Sequence, residues 1–179
     1  MSSIVISGDS SGSITLAAPS VAGTNTATLP AATGTVMVSG NMPAFYAYSA
    51  TVNAISANTN TKVALSQTLF DTNSNFNTST YRFTPTVAGY YQFASLVSTT
   101  AANNSAGISF FKNGSVASYS NANYGNGSGF NNAVQLTQML YLNGSTDYVE
   151  LYYYCTGSSS TSGSSSQQVY MTGFLARAA

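Results

Sequence analysis

The sequence has no histidine, no tryptophan and one cysteine, and among its 179 residues only four are Lys or Arg and four Asp or Glu. Each shortage excludes something. A typical soluble domain carries about 25% charged residues; here the figure is 4%, so Ser, Thr, Asn and Gly must solvate the surface. A net charge of zero creates no long-range field toward nucleic acid or anionic lipid, whose capture depends on clustered Lys and Arg. The basic residues Lys62, Arg82, Lys112 and Arg177 are scattered along the chain, so no basic patch is expected. No apolar run approaches the roughly 18 residues of a membrane helix. No basic stretch leads into an apolar block near the N-terminus, so a secretory signal is not expected either. Neither nucleic acid nor membrane is an expected partner.

Catalysis is disfavoured by the same shortages. Without histidine, acid–base work falls to Asp9, Asp71, Asp147, Glu150 or a tyrosine, and the acids are mostly far apart in sequence. Cys155 has no second cysteine to pair with and no histidine to activate it, so a small buried thiol is the reading. Asp71-Thr-Asn73-Ser-Asn75 echoes the opening of a calcium loop. Phe76 stands where that loop needs glycine, however, and Arg82 where it needs the closing glutamate. A polar turn between strands is the better reading. No enzyme activity, catalytic residue, metal site or cofactor is expected.

What is present is a globular composition, 44% hydrophobic, that changes near Gly40. Before it the residues are small, with no aromatic until Phe45. The fragments Ser13–Leu16 and Thr35–Val38 alternate like short strands, with Pro19, Gly23, Pro30 and Gly34 as turns. This arm has too little bulk for a core of its own and must bury its apolar residues against something else. The expected organisation is an arm over residues 1–41, anchoring or stalk-like, and a head over 42–179.

In the head no amphipathic helix survives the interruptions by Gly, Asn and Ser. Strands are expected at Phe45–Val52, Lys62–Phe70, Tyr81–Thr84, Gly89–Thr99, Gly107–Lys112, Ser115–Ser120, Ala133–Leu142, Asp147–Cys155 and Gln168–Ala176. Asn113-Gly114 and Asn143-Gly144 each separate two such runs and are expected to be hairpin turns. The fold class is therefore all-β, a sandwich or jelly roll.

One segment adds a resemblance. Asp71, Phe76, Phe83, Gly89, Tyr91 and Phe93 stand at the spacing of the signature of complement C1q-like domains, matching it at all six positions. Leu65 and Ser95 depart from it, where the family has Phe and an aromatic residue. Asp147–Leu151 and Gly173–Leu175 resemble the family's last strands. The resemblance spans roughly residues 42–179 and implies a C1q/TNF-like jelly roll, with those six residues as signature core, assembled as a tight homotrimer. The collagen stalk usual in that family is missing, since no Gly-X-Y repeat occurs. Instead, Gly12 to Val36 resembles segments of structural proteins from tailed bacteriophages.

The strand at Asp147–Cys155 bears on assembly independently. Val149, Leu151, Tyr153 and Cys155 share one face and Tyr148, Glu150, Tyr152 and Tyr154 the other. With Val149 in the core, Tyr148, Tyr152 and Tyr154 become candidates for the trimer interface; the rival is a tyrosine row that stacks on sugars. Tyr119, Tyr124 and Phe130, set among Ser, Gly and Asn, form a candidate ligand-contact loop. The expected function is a trimeric surface protein of a phage virion, a short tail fibre or fibre tip with host-polysaccharide binding, located on the tail or capsid exterior. The arm would dock on other virion proteins. The alternatives are capsid decoration and a stand-alone carbohydrate-binding lectin.

Overall fold

A computed structural model describes residues 3–29, 31, 33–34, 36–99, 105–123, 132–157, 159–161 and 168–179. The chain divides into two compact units, Met1–Gly34 and Thr35–Ala179. In the first, strands β1 (Ser3–Ser7) and β2 (Ser13–Ala17) pair as an antiparallel hairpin. In the second, a 3-10 turn at Ser39–Asn41 precedes β3 (Ala44–Tyr48), β4 (Ala54–Ile55), β5 (Thr61–Lys62), β6 (Gln67–Asp71), β7 (Phe76–Asn77) and β8 (Arg82–Phe83). There follow β9 (Gly89–Thr99), β10 (Ser105–Lys112), β11 (Ser115–Asn123), β12 (Asn132–Leu142), β13 (Val149–Cys155), β14 (Ser159–Ser160) and β15 (Val169–Ala178). The division falls before the expected boundary at residues 41 and 42. Met37 packs against the head core and Asn73 donates to the Gly40 carbonyl at 2.9 Å, which joins that stretch to the second unit.

Two antiparallel sheets face each other in the jelly-roll manner. One has the order β12-β9-β15-β3-β6; the other runs β11-β10-β13-β8-β7, with β5 also on β13. Call these the first and second sheets. Alternation decides what lies between them. Phe45, Tyr91, Phe93, Val97, Val169 and Met171 point inward from the first sheet; Phe83, Ile108, Phe110, Val149 and Leu151 point inward from the second, all of them fully buried. The rings interlock at one point. Phe45 stacks on Phe83 at 4.3 Å and on Phe76 at 5.3 Å, while Phe83 and Phe110 lie 5.8 and 5.7 Å from Phe93. Offset and edge contacts of this kind add to the stabilisation from buried area.

The six signature residues share one architectural job. Four are rings of this cluster or its border. Asp71 accepts from the amides of Asn75 (3.0 Å) and Phe76 (2.7 Å), closing the turn that turns Phe76 inward. The Tyr91 hydroxyl donates to the Val87 carbonyl at 2.7 Å, and burial pushes its pKa up to about 12. Gly89 opens β9 where a Cβ would strike the Arg177 carbonyl of β15. Ser95, where the alternation of β9 breaks, stays on the core side with its hydroxyl donating to the Leu136 carbonyl at 3.4 Å.

Several local expectations need correction. Asn113-Gly114 does close the β10–β11 hairpin, both residues at positive φ (52° and 79°). Asn143-Gly144 does not close a hairpin, because β12 and β13 lie in different sheets. Its loop is a crossover in which Asn143 Oδ1 accepts from the amides of Ser145, Thr146 and Asp147. The run Lys62–Phe70 is two strands. Val63 and Leu65 remain buried while the chain passes from the second sheet (β5) to the first (β6), so the period of two persists without a continuous ladder. The described residues 36–38 form no strand, and β1 was not anticipated.

Candidate functional site

The two outer faces of the sandwich differ in chemistry. On the second sheet β13 turns Val149, Leu151, Tyr153 and Cys155 into the core, as expected, and Glu150, Tyr152 and Tyr154 to the other side, with Tyr148 just before the strand. Glu150 is nevertheless 1% exposed. Lys62 Nζ and Arg82 Nε reach its Oε1 at 2.6 and 2.5 Å, and the Tyr152 hydroxyl donates to Oε2 at 3.4 Å. Burial pushes the Glu150 carboxyl up, but the hydrogen bonds and charges of Arg82 and Lys62 outweigh it and hold the group below the usual carboxylate range. Burial raises the Tyr152 hydroxyl, and the neighbouring Glu150 charge adds to the effect.

The tyrosines expected at a subunit interface are therefore half-buried and engaged within their own chain. Tyr152 stacks on Phe111 with centroids 4.0 Å apart, the Arg82 guanidinium lies 4.1 Å over the Tyr148 ring, and Tyr154 donates to Asn58 Oδ1 at 3.2 Å. A second ion pair joins Lys112 to Asp147 at 2.9 Å. Hydrogen bonding from Asn113 is the largest influence lowering the Asp147 carboxyl; burial opposes it, and Lys112 assists. Lys62, Arg82 and Glu150, remote in sequence, form the cluster that was not foreseen. The signal for it was a lone acid on an aromatic face of a strand, which needs a cation above it.

The outer face of the first sheet is the opposite case. Cross-strand register places Tyr141 beside Tyr90, Met139–Gln92–Phe174 in the next row, and Thr137–Ala94–Thr172–Tyr46–Phe70 beyond it. Leu96, Tyr170 and Tyr48 continue the pattern. No charged residue stands within these rows; at their end Arg177 is paired beside Tyr90, and Lys112 Nζ donates to the Tyr141 carbonyl at 2.8 Å and lies 5.8 Å over the Tyr141 ring. Tyr90, Tyr141, Met139, Phe70 and Phe174 are each exposed, as is Leu69, the extra residue of the β3–β6 bulge. Tyr46 stacks on Tyr170 at 5.0 Å, and Tyr90 meets Tyr141 edge-on at 5.4 Å. Among the described head strands, the only other large exposed apolar side chains are Val116 and Tyr119, both on edge strand β11.

Tyr119 is the one described member of the candidate ligand-contact loop; Tyr124 and Phe130 lie outside the described residues. It is 68% exposed and stands across Ser109 from Tyr152. Cys155 is buried, its thiol donating to the Gly157 carbonyl at 2.6 Å, and burial raises its pKa away from the thiolate. Among the described residues no cluster of three or more His, Cys, Asp or Glu could hold a metal ion, and no helix is long and apolar enough to cross a membrane.

No protein-family profile matches the chain, and no curated protein matches it by sequence. Solved structures do match. The globular domain of zebrafish complement 1qA is similar at 18% identity and a TM-score of 0.54, over 76% of this chain and 99% of that one. Murine APRIL at pH 5.0 is similar at 10% identity and a TM-score of 0.61, covering 75% and 98%. Eiger TNF from S. frugiperda is similar at 9% identity and 0.56, covering 77% and 93%. Similarity at these identities establishes the fold, a C1q/TNF-like jelly roll.

Proposed function

We propose that this chain is a homotrimeric structural head displayed on the exterior of a phage virion, with the outer face of the first sheet as the contact between copies. The observation that carries the reading is the set of exposed Tyr, Phe and Met side chains in adjoining rows on that face, with charge only at its end, where Arg177 stands beside Tyr90 and Lys112 lies over the Tyr141 ring. Monomeric proteins rarely leave broad apolar patches open. Homo-oligomer interfaces are enriched in these residue types, and a face without charge can be repeated around an axis without like-charge repulsion. Three copies is the number that the C1q-like signature segment implies. The proposed interface moves from Tyr148, Tyr152 and Tyr154 to the opposite sheet, because the former already have partners in their own chain.

The virion assignment rests on the arm, whose Gly12–Val36 segment resembles phage structural proteins, and it gives the arm its role as the attachment to neighbouring virion proteins. A tail-fibre tip is favoured over capsid decoration by the same resemblance. Sedimentation of the purified chain at micromolar dilution tests assembly: a trimer mass is expected, and a stable monomer refutes it. Imaging of labelled particles tests location, with signal on the tail expected; signal on capsid faces establishes decoration instead.

Glycan contact is a second role, favoured by Tyr119, an open aromatic ring separated from the Tyr152 ring by the small polar Ser109. Aromatic faces flanking small polar groups suit sugar rings. A glycan array probed with the intact chain and with Tyr119→Ala tests it. Silence of the intact chain across host polysaccharides removes the role.

A further inference from the structure

Every residue of β1 and β2 is exposed, yet the hairpin is amphipathic. Cross-strand partners point to the same side, so Ile4 with Leu16 and Ile6 with Ile14 make one face, each side chain 55–67% exposed. The other face carries Ser3 with Ala17, Val5 with Thr15, and Ser7 with Ser13. A two-stranded hairpin is marginal alone in water, and one with four bare aliphatic side chains on a single face needs a cover. Asp9, in the connecting turn, is the only charged residue of Met1–Gly34. The cover is therefore not selected by charge, which fits a copy of the same surface.

The backbone edges favour a closed ring, and the head supplies the number of copies. Each hairpin has two unlike open edges, one of β1 and one of β2. In a twofold pair about an axis perpendicular to the strands, one kind of edge meets itself and the other stays open. In a closed ring every β1 meets the β2 of the next copy, always antiparallel, and no edge remains. We infer that the hairpins of three copies close into one small antiparallel ring of six strands, with Ile4, Ile6, Ile14 and Leu16 of each copy facing the common axis. The inference deepens the threefold reading of the head and rests on it. A trimeric head brings three hairpins into one molecule, each joined to it through the chain between Ala17 and Thr35, so their meeting is intramolecular and favoured by a raised effective concentration.

Amide hydrogen exchange on the full-length chain, with mass measured in parallel, tests this. In a trimer of wild-type chain the amides of Ser3–Ala17, edge positions included, are expected to exchange at least a hundredfold more slowly than those of an open hairpin. Ile14→Asp is expected to abolish that protection while trimer mass persists, and Val5→Asp, which adds the same charge on the opposite face, to preserve it. A wild-type trimer with unprotected edge amides overturns the ring and leaves the head reading standing. Equal loss in Val5→Asp and Ile14→Asp also overturns the ring. If Ile14→Asp splits the trimer while Phe174→Asp, on the head face, does not, the ring stands and the head reading falls. A monomeric wild-type chain ends both.

Discussion

The head interface is best tested at Phe174. Its side chain lies near the middle of the outer face of the first sheet, across from Gln92 on β9 and Ala44 on β3, and is 52% exposed in the single chain. A phenylalanine buries about 150–250 Å² when fully covered, so about 80–130 Å² is left for a neighbour to cover. At ~25 cal/mol per Å² this contributes about 2–3 kcal/mol per copy, or about 6–9 kcal/mol per trimer. Phe174→Asp forfeits that contribution and sets an unpaired carboxylate in the contact. At 1.4 kcal/mol per decade, the overall association constant should fall by a factor on the order of 10⁴–10⁶ or more. Sedimentation velocity over a dilution series reads this as a shift from trimer to monomer. Thermal unfolding supplies the control: Phe174 faces away from the core, so the monomer should lose no more than about 1 kcal/mol, the usual span of β-propensity. An unaltered trimer mass refutes the interface. A monomer that has also lost its cooperative melt refutes the placement of Phe174 on an outer face.

Three further outcomes are expected. Phe83→Ala removes the ring that joins Phe45, Tyr91 and Phe93 across the two sheets and should cost about 3–5 kcal/mol in urea unfolding; a change below about 1 kcal/mol contradicts the core assignment. Glu150 and Asp147 both titrate below the usual carboxylate range when folded. Their stabilisation is accordingly complete above pH ~5 and lost as pH falls through ~4 toward the lowered values. Glu150→Gln should flatten that acid limb in melts taken across the range, and an acid limb as steep as that of wild type would show that Glu150 does not drive it. Finally, trimer dissociation should be nearly indifferent to ionic strength, because the proposed contact face holds no ion pair to screen; dissociation on raising salt would place the contact on the second sheet.

Much of the head was legible because its signals are local. Gly89–Thr99 was expected as a strand with these bounds and is β9, since period-two burial and a glycine at its start are properties of neighbouring residues. The Asn113-Gly114 hairpin was readable for the same reason, as its φ angles are set by the two residues themselves. Asn143-Gly144 carries the same chemistry, but whether its flanking strands share a sheet depends on pairings with β9 and β10, which no local window contains. The β1–β2 hairpin was half seen. Ser13–Leu16 alternates visibly, whereas Ile4-Val5-Ile6 reads as an unbroken apolar run until its partner strand sorts the faces.

The move of the proposed contact from the second sheet to the first has a more instructive cause. Tyr148, Tyr152 and Tyr154 looked uncovered because that stretch is aromatic on both faces, and sequence alone did not reveal that Lys62 and Arg82 reach over from β5 and β8 to cover Glu150 between them. The scarcity of charge bears on the same choice. The chain owns eight ionic side chains, four of each sign, and five of them (Lys62, Arg82, Lys112, Asp147 and Glu150) are spent in three ion pairs on the second sheet and its loops. Asp9 belongs to the arm turn and Asp71 closes the turn before β7. On the first sheet Asp71 ends β6 and is taken up by that turn, Lys112 reaches across to Tyr141 at one edge, and Arg177 stands beside Tyr90 at the margin. A sandwich with so few charges solvates one outer face with them and leaves the other without. The face whose rows hold no charge gains most from being covered, and the proposed contact is placed there for that reason, where the ions are absent rather than where the tyrosines are dense.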